Sequence, residues 1–217
     1  QVVAFPTGLG KTFIAAVVMY NFYRWYPQGK VVFMAPTKPL VAQQIQACYK
    51  VMGIPQQDMV EMTGSVAVTK RGDSWNSKRV FFLTPQVMSN DLSRGLFPAR
   101  DVKLLVVDEA YGEYVDPGLQ QAGFELAAAH ENVLVSRTFS KAYGLAALRV
   151  GYSISHPQLA ALLNRVRQPF NVNSMALAGA QAALQDQKHL DSVVTANREG
   201  LAQLQGGFAA LGLKWIP

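Results

Sequence analysis

The chain has 217 residues, 50% apolar and 16% charged, with 20 Lys+Arg against 14 Asp+Glu and a formal net charge of +6. That size and apolar content supply the core of one large or two small domains and exclude a disordered chain. The longest apolar runs, Phe13–Tyr20 and Leu104–Val107, are too short to cross a bilayer, no Lys/Arg-led signal segment opens the chain, and no membrane partner is expected. A single cysteine, Cys48, excludes an internal disulfide framework and points to a reducing, intracellular setting, cytoplasmic or nuclear.

In chain order, Val2–Phe5 reads as a strand, Pro6–Gly10 as a turn, and Lys11 to about Tyr26 as a helix with Ile14, Val17, Val18 and Phe22 on one face. Val31–Ala35 is a second strand, and Pro39–Met52 a helix stopped by Gly53 and Pro55. Val60–Thr63 is a short strand. The polar stretch Gly64–Lys78 reads as an exposed loop with a helical piece, in which Lys70, Arg71, Lys78 and Arg79 are solvated or meet phosphates. Val80–Leu83 and Lys103–Val107 have the unbroken apolar character of strands buried on both faces. Val133–Val135 and Val150–Ile154 are further strands. Helices follow at His156–Arg167, Ser174–Gln185 and Gln187–Leu211, with Met175, Leu177 and Leu184 expected in the core and other apolar faces left exposed. A last strand is expected to begin at Trp215, and both ends read as interrupted elements. Strands alternating with helices give an α/β fold: a doubly wound, mostly parallel sheet in three α/β/α layers, followed by C-terminal helices.

Charge is uneven along this frame. Residues 1–107 hold 12 Lys+Arg against 5 Asp+Glu, and residues 108–217 hold 8 against 9. A basic first half suits contact with DNA or another polyanion. His130, His156 and His189 are far apart and read as surface or capping residues.

Two constellations carry chemistry. The first is Pro6-Thr7-Gly8-Leu9-Gly10-Lys11-Thr12, between a strand and a helix. Gly8 and Gly10 let backbone N–H groups close around phosphate oxygens, Lys11 would neutralise the outer phosphates of ATP, and the Thr12 hydroxyl would bind Mg²⁺. Phe5 stands where the longer phosphate-loop pattern has its first glycine. Asp108, ending an apolar strand, would hold the same Mg²⁺ through water, and Glu109 would polarise the attacking water. With Met34–Leu40 and Phe82–Met88, these stretches make residues 1–110 resemble the first RecA-like domain of a superfamily 2 DNA helicase of the Fanconi anaemia M/Hef type. The resemblance implies that Thr37, Lys38 and Thr84 contact the nucleic-acid backbone. Tyr111 replaces the His of the family's DEAH box, and the family's adenine-reading segment and second RecA-like domain are not represented, so strand separation is not expected.

The second is Ser136–Tyr152, which with Arg165–Asn173 makes residues 106–217 resemble histidinol-phosphate aminotransferase, a fold-type I pyridoxal-phosphate enzyme. That resemblance implies Lys141 as the Schiff-base lysine and general base, Ser140 and Arg149 on the cofactor phosphate, Asp108 on the pyridinium nitrogen, Tyr111 on the 3′-oxygen, and a homodimer. Lys38 falls about where that family has a ring-stacking aromatic, and Val87 where it has an Asn.

The chain therefore reads as a chimera joined at Val106-Val107-Asp108-Glu109-Ala110, its halves expected to form one fused α/β domain. Because ligands of open α/β sheets gather at the carboxyl ends of strands, Gly8–Thr12, Thr37, Thr84, Asp108 and Lys141 are expected to line one crevice. Three functions are weighed at this point: an ATP/Mg²⁺-binding phosphate-loop module, preferred because its site is the more nearly complete within a single stretch of chain, a pyridoxal 5′-phosphate protein, and a functionally silent chimera. Asp108 cannot serve Mg²⁺ and a pyridinium at once, so the two ligands should compete.

Overall fold

The computed structural model describes residues 2–6 and 9–215. Its seven strands are β1 (Val2–Pro6), β2 (Lys30–Met34), β3 (Met59–Met62), β4 (Val80–Leu83), β5 (Val102–Asp108), β6 (Val133–Thr138) and β7 (Val150–Ser155). They form one sheet in the order β1-β7-β6-β5-β2-β4-β3. Five strands from β6 to β3 pair in parallel. β7 is antiparallel to both of its neighbours, so β1 again runs in the direction of the parallel set.

The apolar runs are strands because they are buried on both faces. Alternate residues feed two cores. Val31, Phe33, Phe82, Leu104 and Val106 face one layer, made of α1 (Leu9–Trp25), α2 (Lys38–Val51) and α6 (Pro157–Val166). Val32, Phe81, Leu83, Leu105 and Val107 face the other, made of α3 (Val68–Ser77), α4 (Pro85–Ser93) and α5 (Ala122–Ala129). The doubly wound α/β arrangement is the one expected. α7 (Ser174–Gln185) adds a small cluster, Ala176 and Ala180 on Phe139 and Val150, and α8 (Gln187–Ala210) has no buried residue.

Three expectations are corrected. The stretch Gly64–Lys78 is mostly helix: α3 turns Arg71 and Trp75, four residues apart, inward, where Trp75 stacks on Phe81 with ring centroids 4.1 Å apart. Arg71 and Arg79 are not phosphate-facing, because Arg71 pairs with buried Asp91 at 2.8 Å and the Arg79 guanidinium lies 3.8 Å over the Tyr23 ring. Met175, Leu177 and Leu184 are exposed, because only the small-residue face of α7 meets the sheet. The strand expected to begin at Trp215 falls mostly on Ile216 and Pro217, which lie outside the described residues. α4 and α5 were not anticipated as helices. His156 caps α6, accepting from the Gln158 N–H.

Candidate functional site

The carboxyl ends of β2, β5 and β6 open onto a cavity of about 210 Å³. Its floor is Val107 and Asp108, its apolar walls include Met34, Pro36, Pro85, Val115 and Leu119, and its polar groups are Asp108, Glu109, Tyr111 and Arg137. Asp108 is 9% exposed. One of its oxygens, Oδ1, accepts from the Ala110 N–H at 3.2 Å and the Ser136 hydroxyl at 3.5 Å. The pairing of Asp108 with Ser136 across β5 and β6 puts the hydroxyl there.

Tyr111 follows in the loop after β5 and is partly exposed, and the Lys141 ammonium lies 5.1 Å from the centre of its ring. Lys141 itself is exposed, just beyond the end of β6. The adjoining Ser140 N–H donates to Thr138 Oγ1 at 3.1 Å, bending the chain off the strand. Behind this bend Phe139 packs on Tyr143 and Tyr152. Burial pushes the Tyr152 phenol up to about 12 and raises that of Tyr143, so both stay neutral hydroxyls at physiological pH.

Arg149 adopts a left-handed conformation, φ 52°, and its guanidinium donates to the Ala146 carbonyl at 2.8 Å. A non-glycine residue there is strained, as functional sites often are. It precedes Val150, whose strand partner is Pro6. Arg149 therefore sits at the same sheet corner from which α1 starts. Gly8 lies outside the described residues; Gly10, Lys11 and Thr12 belong to the first turn of α1 in backbone, their side chains being outside the described set.

Of the residues expected to share one crevice, Asp108 lines the cavity and Thr37, Thr84 and Lys141 do not; Gly8 and the side chains of Lys11 and Thr12 lie outside the described residues. Asp108, Ser136, Ser153 and Val3 stand level across the sheet, so β1 is three strand positions from β5. At about 4.8 Å per strand that is roughly 14 Å between the two strands at this level. Thr37 and Thr84 precede α2 and α4 without capping them by their hydroxyls. Thr37 and Lys38 are exposed and Thr84 is buried; Pro36 and Pro85, their neighbours, line the cavity instead. Val87 is buried in α4, and no metal-ligating cluster of three His, Cys, Asp or Glu occurs among the described residues.

Glu109 and Arg137 form a group not anticipated from the sequence. Arg137 Nε and Nη2 donate to Glu109 Oε2 at 3.0 and 2.9 Å, and Nη1 is 3.8 Å from Glu113 Oε1. The signal was present: an arginine within the buried run Val133–Thr138 requires an acid, and the strand register offers the residue after Asp108.

The family model for "Aminotransferase class I and II" matches residues 97–217, and that for "DEAD/DEAH box helicase" matches residues 1–140. The chain belongs to both families. It joins a helicase-like segment to an aminotransferase-like one, with residues 97–140 matched by both. Among curated relatives, the Fanconi anemia group M protein homolog of Mus musculus is 72% identical over 109 residues, 50% of this chain and 5% of that protein. The Fanconi anemia group M protein of Gallus gallus is 69% identical over 106 residues, 49% of this chain and 5% of that protein. The chain thus spans about a twentieth of the length of either relative.

Among solved structures, histidinol-phosphate aminotransferase from Sinorhizobium meliloti, in complex with pyridoxal-5′-phosphate, has a TM-score of 0.62 at 22% identity, covering 100% of this chain and 58% of that one. This is a likeness of fold. The helicase domain of Hef from Pyrococcus furiosus has a TM-score of 0.50 at 35% identity, covering 60% of this chain and 27% of that one. The dual-family chain therefore has helicase-like text in its first half within a sheet whose fold is shared, end to end, with aminotransferases.

Proposed function

We propose that this chain is a pyridoxal 5′-phosphate-binding, aminotransferase-type module, with the cofactor at the carboxyl ends of β5 and β6, beside the start of β7, and Lys141 as its anchor. The supporting observation is that Asp108 and Tyr111 line one cavity while the Lys141 ammonium, outside that lining, lies 5.1 Å from the centre of the Tyr111 ring. The donor set fits the group. A buried carboxylate suits a pyridinium N–H, a phenol a phenolate oxygen, an amine an aldehyde, and a hydroxyl with a guanidinium a phosphate. When bound, pyridoxal phosphate supplies an electron-withdrawing ring for reactions of amines.

The chain's own residues do the rest. Asp108, whose Oδ1 accepts from Ser136 and the Ala110 N–H, would keep a proton on the ring nitrogen. Tyr111 would donate its hydroxyl to the neighbouring ring oxygen. Lys141 would supply the amine that anchors the cofactor aldehyde and, as a free amine, would carry a proton as general base. Ser140 and Arg149 would hold the phosphate at the corner where α1 begins, a helix N-terminus with its N–H groups directed outward. The ring-stacking aromatic is replaced on the cavity wall by Met34, Pro36 and Pro85, which predicts looser holding of the ring.

A second reading is supported by the 72% identity to a helicase-family relative: nucleotide phosphates bound at the turn before α1. Contact of the basic first half with DNA rests on the same relatives. Thermal unfolding tests these readings. Pyridoxal phosphate at a hundred times its Kd should stabilise the wild type by about 2.7 kcal/mol, and Lys141→Ala should lose most of that shift. Lys11→Ala should weaken it too if the α1 turn holds the cofactor phosphate. Stabilisation by Mg²⁺-ATP with none by pyridoxal phosphate would favour the nucleotide reading instead.

A further inference from the structure

The geometry points to Arg137 as the positioning residue of the cavity: its guanidinium holds segment 109–120 in the shape that presents Tyr111 beside Asp108. The segment has no strand and only short 3-10 turns at Gly112–Tyr114 and Pro117–Leu119. Its internal bonds are local, such as Gly112 N–H to Glu109 O at 3.0 Å and Leu119 N–H to Asp116 O at 2.8 Å. Such turns do not fix a loop on a sheet. Arg137 reaches its start, middle and end. It donates twice to Glu109, stands 3.8 Å from Glu113, and donates through Nη2 to the Gln120 carbonyl.

The guanidinium is itself rigidly held. Arg137 is 6% exposed in β6, paired across the sheet with Tyr152, and its guanidinium lies 4.0 Å from the centre of the Phe124 ring. Two glycines leave the space that the ion pair occupies. A Cβ at Gly123 would collide with the Glu109 carboxylate, and one at Gly112 would come within 3.0 Å of the Arg137 guanidinium. Glu109, whose Oε2 accepts both hydrogen bonds from Arg137, is thereby an anchor of the loop and not the water-activating base that the helicase resemblance implies. The ordering of the segment stands on this geometry alone; its effect on a ligand rests on the pyridoxal phosphate reading.

Hydrogen–deuterium exchange of the full chain, with a pyridoxal phosphate absorbance titration on the same samples, tests both. Arg137→Met and Gly123→Ala should each speed exchange of the 110–120 amides about tenfold while β2 and β4 keep their rates. Both should raise the Kd for pyridoxal phosphate about tenfold. Glu109→Gln, which keeps the shape and removes the charge, should do the same to a smaller degree and serves if Arg137→Met does not fold. Unchanged exchange in 110–120, or loss of protection spread evenly over β2 and β4, overturns the ordering role. A loosened segment with unchanged affinity overturns positioning. If the wild type binds no pyridoxal phosphate, the proposed function fails while the exchange rates still decide whether Arg137 orders the segment.

Discussion

Lys30 carries its ammonium into a site that leaves the residue 9% exposed, 5.6 Å from the centre of the Phe81 ring and 3.3 Å from the Lys78 carbonyl. Burial lowers its pKa from 10.5, outweighing the attraction of Asp101. The folded chain therefore holds this proton less tightly than the unfolded chain. The cost is present in full below the lowered pKa and disappears as pH rises toward 10.5. Lys30→Met should raise the midpoint of thermal unfolding at pH 7, with the advantage shrinking at alkaline pH; a variant less stable than wild type at pH 7 would show that the amine's contacts outweigh its desolvation. At the same scale, Asp108, Tyr111 and Lys141 are the residues that the aminotransferase resemblance names, and Asp108 and Tyr111 line one cavity with the Lys141 ammonium 5.1 Å from the Tyr111 ring. Arg137 is less legible in the sequence. Its meaning lies in what stands beside it across the sheet, which depends on strand order.

Helices α3 and α4 are joined by one buried polar group. Asp91, 0% exposed, accepts from Arg71 Nε at 2.9 and 3.1 Å and from Trp75 Nε1 at 2.9 Å. Removing its carboxylate leaves a buried guanidinium without its counter-charge, which costs about 3–5 kcal/mol. Asp91→Ala should lower stability by that amount in urea unfolding; a loss under about 1 kcal/mol would mean that Arg71 escapes to solvent. This element reads as a loop in the sequence because seven of the ten residues Val68–Ser77 are polar or charged, and the inward Arg71 and Trp75 give too little apolar period to recognise. The strands were legible for the opposite reason. Val80-Phe81-Phe82-Leu83 is buried at every residue, and a run apolar on both faces has few alternatives in an α/β chain.

The sheet is continuous across the junction of the two family segments. β1, from the helicase-like part, pairs with β7, from the aminotransferase-like part, while β5 bridges β2 and β6. Neither half completes its edge alone, so calorimetry should give one cooperative transition. Two separable transitions would mean that the halves are independent domains. Strand order is the part of the fold that local text does not carry: parallel strands are joined by long crossovers, and a phosphate-loop motif reads the same at an edge or in the centre. This is why Gly8–Thr12 and Asp108 could be recognised but not placed relative to each other. α7 and α8 expose Leu184, Leu201 and Leu204, and Leu211 follows them, enough apolar surface for sedimentation to show concentration-dependent association, which Leu204→Glu should reduce.

The proposed function turns on where a cofactor aldehyde attaches. Borohydride reduction after incubation with pyridoxal phosphate, followed by peptide mapping, reads that position directly. A stable phosphopyridoxyl label on Lys141 in substantial excess over the exposed Lys38 and over the other lysines is the predicted result. Label spread over surface lysines in proportion to exposure, with Lys141 not favoured, would contradict it.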